Sequence, residues 1–247
     1  MVRDVGQIHI SFFKDKLDSY PDIRCGSYRY RGKQRHCIWS ITNGVRQEIH
    51  LVNTSRGREM TMLMNEREKC EQILKRLESE FIAEYGYLCE SVELPDYGNS
   101  PNRRMFDSLV TGRNPYKKEN KVRYNNCFYR SKLEADFARI MDEHGVPFKY
   151  EPEITLYNGR HRYPDFVLYL PWLDIIILVE IYGKCDDPDY LVSVRDRQYE
   201  YMMSGWKPGI NMLSYYYYDK FPYLPEMVME DILNVEACNY MMTHSAG

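Results

Sequence analysis

Between Arg24 and Val52 apolar and polar residues alternate in short runs, the period of strands with one covered face. Three antiparallel strands are predicted over 25–31, 35–42 and 45–52, joined at Gly32-Lys33 and at Asn43-Gly44. Asn-Gly supplies the positive backbone angles that a tight hairpin turn requires. The period then changes. Met60, Leu63, Met64, Cys70, Ile73, Leu74, Leu77 and Phe81 recur at helical spacing among dense charges, which predicts one long helix over 56–85. The turn formers between Pro95 and Asn102 mark a domain boundary.

Beyond that boundary the pattern is that of an α/β unit. Leu133, Phe137, Ile140 and Met141 share one face of a helix over 131–143 that ends at His144-Gly145. Strands over 148–156 and 162–170 flank the Asn158-Gly159 turn. Residues 174–181 hold a continuous apolar run, suited to a strand covered on both faces. A helix over 188–204 then leads to a strand over 211–218, a parallel crossover, and a last helix covers 225–238. The order is helix, three strands, helix, strand. The expected fold is therefore α/β (α+β), with residues 1–94 as a β-hairpin and long-helix domain and 103–247 as a mixed sheet flanked by helices.

Two carboxylates interrupt these apolar runs. Asp165 follows Pro164 and precedes Phe166, and Glu180 stands between Val179 and Ile181. A charge there is costly unless partnered, and two acids on adjacent strands suit a hard divalent cation. By itself Pro164-Asp165 also reads as a turn or strand start. Asp186 and Asp187, before Pro188, read first as a helix N-cap.

Composition narrows the classes. A hydrophobic fraction of 44% with 28% charged residues is that of an ordinary globular protein. The net charge of -3 gives no overall attraction to nucleic acid, so such binding must come from local patches. Seven scattered cysteines, never spaced C-x-x-C, fit free thiols in a reducing cytoplasm better than disulfides or zinc ligands. The first residues lack the apolar core of a signal peptide, and no apolar run reaches membrane-spanning length; a cytoplasmic protein without a membrane partner is expected.

Glu134, then Pro164-Asp165, then Glu180 resembles the PD-(D/E)xK nuclease superfamily, and in particular a branch of uncharacterised bacterial proteins within it. The likeness rests on Arg130-Ser131-Lys132-Leu133-Glu134, Tyr150-Glu151, Pro164-Asp165-Phe166 and the stretch from Val179 to Tyr190, with Asn114-Pro115-Tyr116-Lys117 before them. It implies a restriction-endonuclease-like fold and a magnesium- or manganese-dependent endonuclease acting on DNA rather than RNA. Asp165 and Glu180 would hold the metal, Glu134 would assist, Arg130 and Lys132 would contact phosphate, and Arg197 or Lys184 would stabilise it. Tyr182 stands where the superfamily has a lysine. The alternative is a catalytically inactive nuclease-fold module that binds nucleic acid or protein.

The first domain adds Arg29, Arg31, Lys33 and Arg35 among Tyr28, Tyr30 and Trp39, while Asp22 and Glu48 are the only acids between Pro21 and Val52. Basic side chains on a β-ribbon can contact nucleic-acid phosphates; a solvated sheet face is the alternative. The mixed charge of 56–80 is that of a solvated helix or of a homodimer surface.

Overall fold

The computed structural model describes residues 2–115, 122–220 and 225–244. Tyr116 and Lys117, quoted above for the resemblance, lie outside them. The chain is mixed α/β and divides into two compact units, residues 6–94 and residues 95–247 together with the first five.

α1 (Arg3–Ser19), which from Gly6 onward belongs to the first unit, leads into an antiparallel meander of β1 (Asp22–Tyr30), β2 (Lys33–Thr42) and β3 (Val45–Leu51), followed by α2 (Ser55–Tyr85). Both hairpin turns have positive φ at their two central residues, Arg31-Gly32 and Asn43-Gly44. The first turn sits one residue earlier than expected because Tyr30 pairs with Lys33 as the last rung of the ladder. Thr54 caps α2 by accepting from the Gly57 N–H, and Gly86 ends it in the left-handed conformation. The sheet and α2 meet through Ile23, Ile38 and Met60, with Val52, Leu63 and Met64 packed around them. The helix α1 was not expected. Val5, His9 and Phe13 at four-residue spacing, all buried, were its signal.

The second unit contains α3 (Pro101–Ser108), a hairpin of β4 (Val122–Tyr124) and β5 (Cys127–Tyr129), α4 (Lys132–Glu143), β6 (Phe148–Tyr150), the short pair β7 (Ile154–Thr155) and β8 (His161–Arg162), β9 (Phe166–Leu170), β10 (Ile175–Tyr182), α5 (Pro188–Met203), β11 (Met212–Tyr216), a 3₁₀ turn (Pro225–Met227) and α6 (Val228–His244). Its main sheet has the order β11-β10-β9-β6, with β10 and β11 parallel and the other pairs antiparallel. Two expected strands are shorter than their apolar patterns. Residues 148–156 break at Glu151, whose φ is +45°, and at Pro152, which has no N–H to donate. Residues 162–170 break at Pro164 for the same reason. The turn formers near residue 100 also begin a helix: Ser100 caps α3 by accepting from the Arg103 N–H, and Pro101 opens its first turn.

Every residue of β9 and β10 is buried. On one face of the sheet Leu178, Val167, Tyr169, Tyr201 and Trp206 share a core. On the other, Phe166 meets Phe137 of α4 at 4.7 Å and Tyr150 at 5.3 Å between ring centroids. The last helix carries a buried acid. Glu236 is 1% exposed, Oε1 accepts from Trp172 Nε1 at 2.9 Å, and Oε2 has no partner among the described residues.

Burial pushes Glu236 up to about 7, against an ordinary value of 4.5, with the Trp172 hydrogen bond opposing. Because the folded state holds the proton more tightly, the stability is complete below the ordinary value and falls as pH rises through about 7. The ionised acid is expected to cost roughly 3 kcal/mol. Glu236→Gln should therefore raise the melting temperature at pH 8 and leave it nearly unchanged at pH 5; denaturation at both values checks this.

Candidate functional site

The β9–β10 register pairs Phe166 with Val179, so Asp165 and Glu180 face each other one step further along. Alternation places Glu180 on the same side of β10 as Leu178 and Tyr182, toward the core that contains Tyr201. Across from them, Tyr190, Val194, Arg197 and Tyr201 follow one another at four, three and four residues along α5 and so share one helical face. Asp187 fixes the start of this helix by accepting from the Asp189 and Tyr190 N–H groups, as its position before Pro188 implied.

Glu180 is 2% exposed. Its Oε2 accepts from Arg197 Nη1 at 3.3 Å, and its Oε1 accepts a short hydrogen bond from the Tyr201 hydroxyl. Asp165 keeps one partly exposed edge. Its Oδ2 accepts from the Ile181 N–H at 2.6 Å, and Oδ1 makes no hydrogen bond among the described residues. Burial, then the charge of Glu180 and that of Glu134, hold Asp165 well above the ordinary carboxylate range. Burial also raises Glu180, against the opposing pull of Arg197 and Tyr201. Arg197 remains charged: burial disfavours its cation, but Glu180 and the surrounding tyrosines outweigh that. The same burial and the acid neighbours raise the phenols of Tyr182 and Tyr201, which stay protonated.

Glu134 enters from the first turn of α4 and is 8% exposed. Its Oε1 accepts from Ser131 Oγ at 2.9 Å, while Oε2 accepts from the Tyr150 hydroxyl at 2.5 Å and from the Arg130 N–H at 3.1 Å. Ser131 in turn caps the helix by accepting from the Glu134 N–H, a reciprocal arrangement that fixes the acid in place. Glu151 is held by three contacts: its N–H donates to the Asp165 carbonyl at 3.0 Å, and its Oε1 meets Arg130 Nη2 at 2.6 Å and Asn114 Nδ2 at 2.9 Å.

Of the residues singled out in the sequence, Asp165, Glu180, Glu134 and Arg197 thus form one electrostatically coupled cluster. Lys184 does not join it: this side chain is exposed in the loop after β10 and makes no ion pair among the described residues. Arg130 is engaged by Glu151, and Lys132 is exposed at the start of α4. Tyr182, two residues after Glu180, is fully buried, and its hydroxyl has no partner among the described residues. Tyr150 and Tyr190 entered the sequence reading only as part of the resemblance and Tyr201 not at all, although the spacing of Tyr190, Arg197 and Tyr201 held the signal.

Among the described residues no group of three or more His, Cys, Asp or Glu side chains is disposed to hold a metal ion. The pair that faces itself offers two carboxylates, with Asp165 Oδ1 unengaged. Like charges this close are relieved by a proton or by a cation.

The raised carboxyl group has a measurable consequence. Because burial, with Glu180 and Glu134 beside it, holds Asp165 above its ordinary range, the cost of ionising it appears as pH rises. Asp165→Asn, in the absence of divalent metal, is expected to raise the melting temperature at pH 8, with the gain shrinking toward pH 5. A variant that is less stable than the parent at pH 8 would contradict a carboxyl group held above its ordinary range.

Comparison with known proteins yields no match: no family model, curated protein or solved structure is similar to this chain.

Proposed function

We propose that the chain is a magnesium- or manganese-dependent nuclease that hydrolyses phosphodiester bonds in DNA. The observation that carries this reading is the facing pair Asp165 and Glu180, two carboxylates on neighbouring strands held above their ordinary range, one with an unengaged oxygen. The order α4, β6, β9, β10, α5, β11, with three antiparallel strands and a parallel fourth, supports a restriction-endonuclease-like domain.

Asp165 and Glu180 would hold the cation. A divalent cation there supplies positive charge to phosphoryl oxygens and lowers the pKa of an attacking water. Glu134, oriented by Ser131 and Tyr150, adds a third negative charge to the field at Asp165. Arg197 is the permanent cation of the site and the group suited to meet phosphate; it cannot act as a proton acceptor. Tyr182 cannot take the lysine's part either, since its buried phenol keeps its proton.

That last feature favours a second reading, a nuclease-fold module that binds nucleic acid without cutting it. Both oxygens of Glu180 are already engaged, which adds weight to it.

Purified protein incubated with single-stranded DNA, duplex DNA and RNA, with magnesium, manganese or chelator, distinguishes the two. Cleavage is expected only with metal and on DNA, and Asp165→Ala and Glu180→Ala should each slow it on the order of a hundredfold or more. The melting temperature should rise with manganese in the parent and not in either variant. Cleavage that survives in both variants would remove this site from the mechanism. A metal-dependent rise in melting temperature without cleavage of any substrate would establish the second reading instead.

A further inference from the structure

The β1–β2 hairpin is exposed at every residue from Ser27 to His36, so it stands out from its unit as a two-stranded ribbon. Its register, which pairs Tyr28 with Arg35 and Tyr30 with Lys33, sorts the side chains onto two faces. One face carries Tyr28, Tyr30, Lys33 and Arg35; the other carries Ser27, Arg29, Gln34 and His36. The tyrosines are 47% and 51% exposed. Arg31 and Arg35 lie over the Tyr30 ring, at 5.3 and 6.0 Å from its centroid.

Toward the base of the same face the row continues with Trp39, which is packed over Gly26. A Cβ at position 26 would come within 2.9 Å of the indole, so only glycine lets the ring lie against the strand. Arg46 covers that ring at 4.4 Å. Guanidinium groups thus lie over Tyr30 and Trp39; Trp39 is buried at the base of the face, while Tyr28 and Tyr30 are exposed beyond it.

The charges are one-sided. The two acids of this region are both taken, Asp22 by Arg24 and Glu48 by Arg56. Arg29, Arg31, Lys33 and Arg35 have no ion pair among the described residues. Protection of a sheet edge from aggregation accounts for exposed charge, but not for two tyrosines aligned on one face among cations. We infer that this face of the hairpin binds single-stranded nucleic acid, with bases stacked on Tyr28 and Tyr30 and phosphates met by the neighbouring Arg and Lys side chains. Single strands are specified because a duplex keeps its base faces within its own stack, whereas a free strand offers them to aromatic rings.

This refines the nucleic-acid partner of the preceding reading, and its test does not use cleavage. Binding is measured by fluorescence anisotropy on the full chain carrying Asp165→Ala, with chelator present. The probes are an oligothymidylate of about twenty nucleotides, an abasic strand of equal length, a duplex and phosphatidylserine vesicles. The oligothymidylate should bind about tenfold or more tightly than the abasic strand. Tyr28→Ala with Tyr30→Ala should abolish that difference while leaving the abasic affinity unchanged, and the paired Phe substitutions should restore it. All these side chains are exposed, so the melting temperature should not move. Equal affinity for the abasic strand, preference for duplex or vesicles, or an unaffected Ala variant would overturn the inference. Either result leaves the cleavage reading to its own assay.

Discussion

Two carboxylates facing each other from adjacent buried strands are the constraint on which the second unit depends. Asp165 and Glu180 cannot both be charged there at no cost, because burial raises the proton affinity of both and the charge of Glu180 raises that of Asp165 further. The surroundings answer that cost group by group. Arg197 and Tyr201 take the two oxygens of Glu180, the Ile181 N–H takes one of Asp165, and the other oxygen of Asp165 is left open. The helical face of α5 is spaced to deliver those partners, so the helix serves the acids as much as the apolar core.

The other buried acids show what a different solution looks like. Glu134 is bound by a serine, a tyrosine and a backbone N–H, and its position is over-determined by its own helix cap. Glu236 has one partner, an indole N–H, and keeps its proton until the pH approaches about 7. Neither faces another carboxylate across a strand pair. The Asp165–Glu180 pair is the arrangement that apolar packing does not need and that cation chemistry does, which is why the functional reading is centred on it.

Much of this was visible along the chain. The meander and the long helix emerged from the change of hydrophobic period, and the β10 strand from its unbroken apolar run. The acids could be found because each sits where an apolar residue is expected. What escaped was of two kinds. The helix α1 and the β4–β5 hairpin rest on short patterns that a single sequence leaves ambiguous, while α3 begins among residues that also form turns. The breaks at Glu151 and Pro164 came from single backbone positions overriding the alternation of the strands around them.

The order of residues is enough to show which of them carry charge within apolar strands and where the hairpin turns lie. Those are local properties, set by side-chain type and by backbone preferences over a few residues. Which charges meet was settled by the folding of the chain. Register across β9 and β10 brought Asp165 opposite Glu180, and helical spacing on α5 brought Arg197 and Tyr201 to the same point, while Lys184, nearer in the chain, was left in solvent. Electrostatic coupling depends on distance through space and on exclusion of water, and neither is written in the distance along the chain.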